Sequence, residues 1–178
     1  MHLSIWEKES FFNNIDVAII GSGIVGLSAA LHLKERQADL KVAIFEKGVI
    51  PSGASTRNAG FACFGSISEL VEDVQFQGEE EVFALVEKRW RGLQKLKARV
   101  GAKQLQIKNF GGYELFLSHE EEDFQNYRSQ LDYFNQHLSK IIAGAPVFSV
   151  SDEKIKSFGF QKVQHLICLL YTSPSPRD

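Results

Sequence analysis

Gly21, Gly23 and Gly26 stand in the spacing G-x-G-x-x-G, and Glu46 follows 20 positions after the last of them. Glycines spaced this way suit one kind of chemistry, the binding of a diphosphate by backbone amides. Gly21 permits a tight turn, Gly23 lets main chain come close to a pyrophosphate, and Gly26 lets a helix lie against a strand. Ser22, Ile24 and Val25 complete the turn, and the negative charge would rest on the unpaired N–H groups that open the helix. Glu46 would accept hydrogen bonds from the hydroxyls of an adenosine ribose, and its charge would repel a 2′-phosphate, which disfavours NADP. The alternative is a plain turn beside a solvated acid.

By itself the glycine spacing is a weak signal; its flanks strengthen it. "IDVAII" (15–20) is a short β-branched run that stops at Gly21, as a buried parallel strand does, with apolar residues on both faces. "IVGLSAALHLKER" (24–36) places Ile24, Leu27 and Leu31 at helical spacing, and "KVAIFE" (41–46) repeats the strand pattern and closes on the acid. Strand, glycine turn, helix and strand make a βαβ unit over residues 15–46.

The next stretch, "GASTRNAGFACFGS" (53–66), has no hydrophobic period. A chain built for NAD would pass from Glu46 through a short link to its next element, whereas here about 20 polar, flexible residues intervene. A larger cofactor would need such cover. The main-chain N–H groups from Ala54 to Gly60, the hydroxyls of Ser55 and Thr56, and the Arg57 guanidinium, with Asn58 and Ala59 between, could bond phosphates or the polar edge of a flavin ring. The alternative is a plain surface loop with Arg57 solvated.

"DVAIIGSGIVGLSAALHL", "KVAIFEKG" and "GASTRNAGF", in this order, resemble the FAD-dependent oxidoreductases of the D-amino acid oxidase and glycine oxidase family, especially the bacterial branch that includes γ-glutamylputrescine oxidase. The match includes Ala30 and the pair Glu46-Lys47; it is strong over 15–66 and general over 67–167. The resemblance implies an α/β fold, a Rossmann-like FAD-binding βαβ unit followed by the start of an α+β substrate domain, truncated. It implies oxidation of a small-molecule amine or amino acid at the carbon bearing nitrogen, with hydride passing to flavin N5 and an imine as product. The loop has no His and Cys63 is read as a small buried thiol, so non-covalent FAD is expected. An NAD-dependent dehydrogenase and a non-catalytic FAD-binding protein remain as alternatives. No residue is assignable as a catalytic base.

Further along, "EEEVFALVEKRWRGLQKLKARV" (79–100) predicts a helix with Val82, Val86, Trp90, Leu93 and Val100 on one stripe. "QLQIKNFGGYELFLS" (104–118) predicts a hairpin around Phe110-Gly111-Gly112, and Phe124 to Ile141 an amphipathic helix packed on it. "PVFSV" (146–150) predicts a strand, and Ser151 the start of a short helix. The ending "CLLYTSPSPRD" breaks with these patterns and resembles the frame-shifted translation of a sequencing adapter, so native sequence is expected to end near Ile167. The expected domains are 1–78, the N-terminal part of the FAD-binding domain, 79–167, helices and the start of the substrate domain, and 168–178, a non-native tail.

The chain of 178 residues is 44% hydrophobic and 24% charged, long enough to bury a core. A net charge of −2 with signs interspersed argues against nucleic acid. Two cysteines, Cys63 and Cys168, fit a reducing, cytoplasmic setting, and no stretch is apolar enough to span a membrane. The histidines show no ligand spacing, so no metal is expected.

Overall fold

In the computed structural model, which describes residues 4–58, 60–108, 110–142 and 146–170, two strands β1 (Val17–Ile20) and β2 (Val42–Phe45) pair in parallel, Val17 opposite Val42 and Ile20 opposite Phe45. Between them runs a helix, Ile24–Arg36, preceded in the chain by a single turn at Ile5–Glu7; these are α2 and α1. Lys34 and Arg36 lie in the last turn of α2, where cations suit the helix dipole. The Phe12 ring stacks on Phe45 at 5.8 Å. The expected βαβ unit is therefore present, and the chain as a whole is mixed α/β.

Burial in this unit differs from expectation. No described residue of it is fully buried; Ile20 is 83% exposed, and Ile24 and Leu31, expected on the packed stripe of α2, are half exposed. A two-stranded sheet with one helix against it offers too little surface to cover both faces, which parallel strands with apolar residues on both sides require.

The chain divides into two compact units, Met1–Asn58 and Ala59–Asp178. The second is built on an antiparallel sheet of order β3-β5-β4, with β3 at Gly112–Leu117, β4 at Phe148–Val150 and β5 at Val163–Leu169. Helices α3 (Ile67–Gln77), α4 (Glu79–Val100) and α5 (Glu121–Leu138) share one core with its Phe116, Phe148, Ile167 and Leu169. A short helix, α6 (Ile155–Phe158), contributes Ile155 to a smaller cluster with Leu166 and Cys168. Asn135 of α5 fastens β4: its Oδ1 accepts from the N–H of Val147 and Phe148, and its Nδ2 donates to Phe148 O, all within 2.9 Å.

The helices α4 and α5 fall where periodicity puts them, with Val82, Val86, Phe124, Leu131, Phe134 and Leu138 buried, while Val100, expected on the same stripe, is exposed at the last residue of α4. The hairpin over 104–118 does not form. Gly101, with φ of +89°, ends α4, the chain turns through Gln106 at φ of +51°, and among the described residues of this stretch only Gly112–Leu117 forms a strand. Its partner is β5, with Gly112 opposite Leu169, a pairing across some fifty residues that no local turn signal announces. In this second unit, helix α3 and strand β5 were not expected from the sequence. Helix α3 opens with a capping box, Ser66 accepting from the Glu69 N–H while the Glu69 carboxylate accepts from the Ser66 N–H. Strand β5 runs through Cys168 and Leu169, 0% and 7% exposed, which stand at the start of the expected tail; residues 171–178 lie outside the described residues. No helix among the described residues is long and apolar enough to cross a membrane.

Candidate functional site

The glycine turn has the geometry its residue types require. Gly21 has φ of +93°, a backbone conformation that L side chains rarely adopt, and its N–H donates to Phe45 O at 2.7 Å, tying the end of β1 to the end of β2. A Cβ on Gly26 would stand 2.2 Å from the Gly21 carbonyl oxygen and 3.2 Å from Ile19 Cγ2, so only glycine lets α2 lie this close to the strand. Gly23 is the N-cap of α2 and has no side chain with which to cap it. The cap comes from the loop instead: Ile24 N–H donates to Ser55 Oγ at 2.9 Å, and a Cβ on Gly23 would meet that hydroxyl at 3.0 Å. The N–H groups of Gly23, Val25 and Gly26 have no hydrogen-bond partner among the described residues.

Glu46 turns back onto this turn. Its Oε2 accepts from the Ser22 N–H at 2.9 Å and the Ser22 hydroxyl at 2.8 Å, while Oε1 accepts from the N–H of Lys47 at 2.9 Å and of Gly48 at 3.4 Å. The Ser22 N–H first, then its hydroxyl and the Gly48 N–H, hold the Glu46 carboxyl down to about 2, well below the usual carboxylate range. The acid closing the second strand thus sits, ionised, beside the amides of the first βα turn.

The loop that follows is a short helical turn at Ala54–Thr56. Its two hydroxyls part ways: Ser55 faces α2, whereas Thr56 Oγ1 donates to the carbonyls of Pro51 and Gly53, both at 3.1 Å. Asn58 Nδ2 donates to Ala54 O and Ser55 O, closing the turn on itself. Arg57 and Lys47 are exposed. Pro51 and Gly53, whose carbonyls seat Thr56, were not singled out from sequence; a Pro ahead of a Gly-Ala-Ser-Thr run was the available signal. Ala59 lies outside the described residues, and Gly60, with φ of +72°, belongs to the second unit. The structure therefore brings Gly21 to Gly26, Glu46 and Ser55 together in one unit. Cys63, expected to be buried, is exposed, because the first full anchor of the second unit is its neighbour Phe64, 2% exposed, whose carbonyl accepts from Arg89 at 3.0 Å.

The sequence family described as FAD dependent oxidoreductase (DAO) matches residues 16–153. This chain belongs to that family. Membership implies FAD as cofactor. Among curated proteins, the chain is 45% identical over 51 residues to thiamine thiazole synthase of Phaeosphaeria nodorum, covering 25% of this chain and 16% of that protein. It is 49% identical over 45 residues to glycine oxidase of Geobacillus kaustophilus, 25% of this chain and 11% of that one. L-aspartate oxidase 1 of Ralstonia nicotianae is 45% identical over 42 residues, 24% of this chain and 7% of its own length. The matches thus span at most about a sixth of these relatives. Among the described residues, no group of three or more His, Cys, Asp or Glu is arranged to hold a metal.

Proposed function

We propose that this chain binds the adenosine diphosphate half of FAD at the glycine turn, in a protein that oxidises an amine or amino acid. The observation that carries the reading is Glu46, fastened to Ser22 at the mouth of the turn while the N–H groups of Gly23, Val25 and Gly26 stay unpaired. The residues present fit the group. The unpaired amides and the helix dipole suit a diphosphate, the bare Gly23 admits the Ser55 hydroxyl beside them, and the Glu46 carboxylate suits ribose hydroxyls. Ser55 would add a hydroxyl to the diphosphate seat, and the exposed Arg57 guanidinium would serve the flavin side. When bound, the flavin would accept hydride at N5 from the carbon bearing nitrogen, leaving an imine. What this chain contributes is grip, orientation and a fixed negative charge at the ribose.

Two relatives are named as oxidases of amino acids, glycine and L-aspartate, which supports an amine or amino-acid substrate. Two cysteines outside any disulfide suit a cytoplasmic setting. The test is the full-length protein purified with its flavin in the oxidised state and mixed anaerobically with amines and amino acids. A yellow protein that releases FAD on denaturation and is bleached by an amine or amino acid is expected. A colourless protein that binds NAD would make it a dehydrogenase of the other class, and a yellow protein bleached by no amine would make it an FAD-binding protein without oxidase chemistry.

A further inference from the structure

Resting on that reading, we propose that Ser22 is a positioning residue for ribose recognition: it ties one oxygen of Glu46 to the glycine turn so that the other oxygen meets a ribose hydroxyl and a 2′-phosphorylated ribose is refused.

The argument is one of lone pairs. A carboxylate oxygen accepts comfortably from two donors. Oε2 of Glu46 already has two, the N–H and the hydroxyl of Ser22, at 2.9 and 2.8 Å. Oε1 has one good donor, the Lys47 N–H at 2.9 Å, and one at the edge of bonding distance, the Gly48 N–H at 3.4 Å. Oε1 is thus the oxygen with capacity for an added hydroxyl. The glycine spacing does not demand serine at position 22. Any residue there would offer its N–H to Glu46; only a hydroxyl adds the second bond to the same oxygen, and two bonds from one residue stop the carboxylate from rotating. Glu46 lies at the edge of the unit, partly exposed, where an untied side chain would swing into water. Fixed in place, the charge is held where a 2′-phosphate dianion would come.

The test uses full-length protein stripped of flavin, with flavin fluorescence reporting FAD and two competitors, ADP and ADP bearing a 2′-phosphate. Wild-type protein is expected to prefer ADP by at least about tenfold, the scale of one charge-assisted hydrogen bond gained or lost. Ser22→Ala should shrink that preference to about threefold or less, mainly by weakening ADP, and Ser22→Thr, which keeps the hydroxyl, should restore it. Glu46→Gln should shrink it as Ser22→Ala does. A Ser22→Ala protein with wild-type preference overturns the positioning role while leaving the site itself standing. Wild-type protein that binds neither FAD nor ADP overturns the site, and this inference with it. Should Ser22→Ala fail to fold, Ser22→Cys, whose thiol is a poor donor, is read by the same criterion.

Discussion

The hydroxyl of Ser55 accepts a hydrogen bond from the backbone nitrogen of Ile24 at 2.9 Å, across 31 positions of sequence. A helix that begins on glycine cannot cap itself, and here the loop after the second strand does it. The contact joins the two halves of the candidate site, the turn that would take a diphosphate and the loop that would cover the flavin.

Ser55→Ala should therefore act on both. Loss of an N-cap hydroxyl costs about 0.5–2 kcal/mol, so the urea midpoint should fall and proteolytic cleavage after the exposed Arg57 should speed up. An unchanged midpoint together with unchanged cleavage would show that the cap contributes nothing.

Gly26 and Gly92 make a controlled pair. A Cβ at Gly26 would stand 2.2 Å from the Gly21 carbonyl, whereas at Gly92, inside α4, nothing lies within 4 Å. Gly26→Ala should push α2 off the strand, at a cost of at least about 1–3 kcal/mol, and abolish FAD binding. Gly92→Ala should stabilise by about 0.5–1 kcal/mol through helix propensity alone. Calorimetric Tm shifts of opposite sign are the expected record.

Glu46 should remain ionised far into acid. Its carboxyl is lowered to about 2 from 4.5, so its favourable contribution is complete above the ordinary value and is lost only as pH falls through the lowered one. Carbon-13 NMR of the glutamate carboxyls should show one midpoint well below the rest, moving upward in Ser22→Ala. A Glu46 midpoint in the ordinary range would deny the contact with Ser22.

Glu114 behaves in the opposite sense. Burial raises its carboxyl above the ordinary value, even though Ser68 donates to it from both N–H and hydroxyl. The contribution of a raised carboxyl is present below the unfolded value and lost as pH rises through the folded one. Glu114→Gln, which keeps an acceptor for Ser68 but cannot ionise, should flatten the decline of stability across that window, measured by urea denaturation at a series of pH values.

Asn135→Ala should cost about 1–3 kcal/mol. It removes the acceptor of the Val147 and Phe148 N–H groups beside two fully packed side chains, 0% and 1% exposed. The urea midpoint is the measure, and a loss below that range would mean that water replaces the amide.

Much of the site was legible because its constraints are local. Gly21 must take a positive φ, Gly26 must admit a helix against a carbonyl, and an acid must close the second strand; each leaves a residue type at a set position. The helices α4 and α5 were legible for the same reason, since each writes its buried face at helical spacing. The start of helix α3 is also marked locally, by the Ser66 and Glu69 capping box, although it follows directly on a glycine-rich stretch. Unreadable were the partner of β3, which arrives some fifty residues later, the exposure of Cys63, and the choice of Ser55 over Thr56 as the hydroxyl that faces α2.

What the sequence determined alone is the glycine turn, its strands and the acid at their end, because backbone sterics and hydrogen-bond periodicity act over a few residues. Only the tertiary structure decided which oxygen of Glu46 is tied down, which loop hydroxyl caps α2, and which strand completes the sheet on Gly112–Leu117. Those are contacts between residues distant in sequence, and they are set by which groups the folded chain brings within bonding distance.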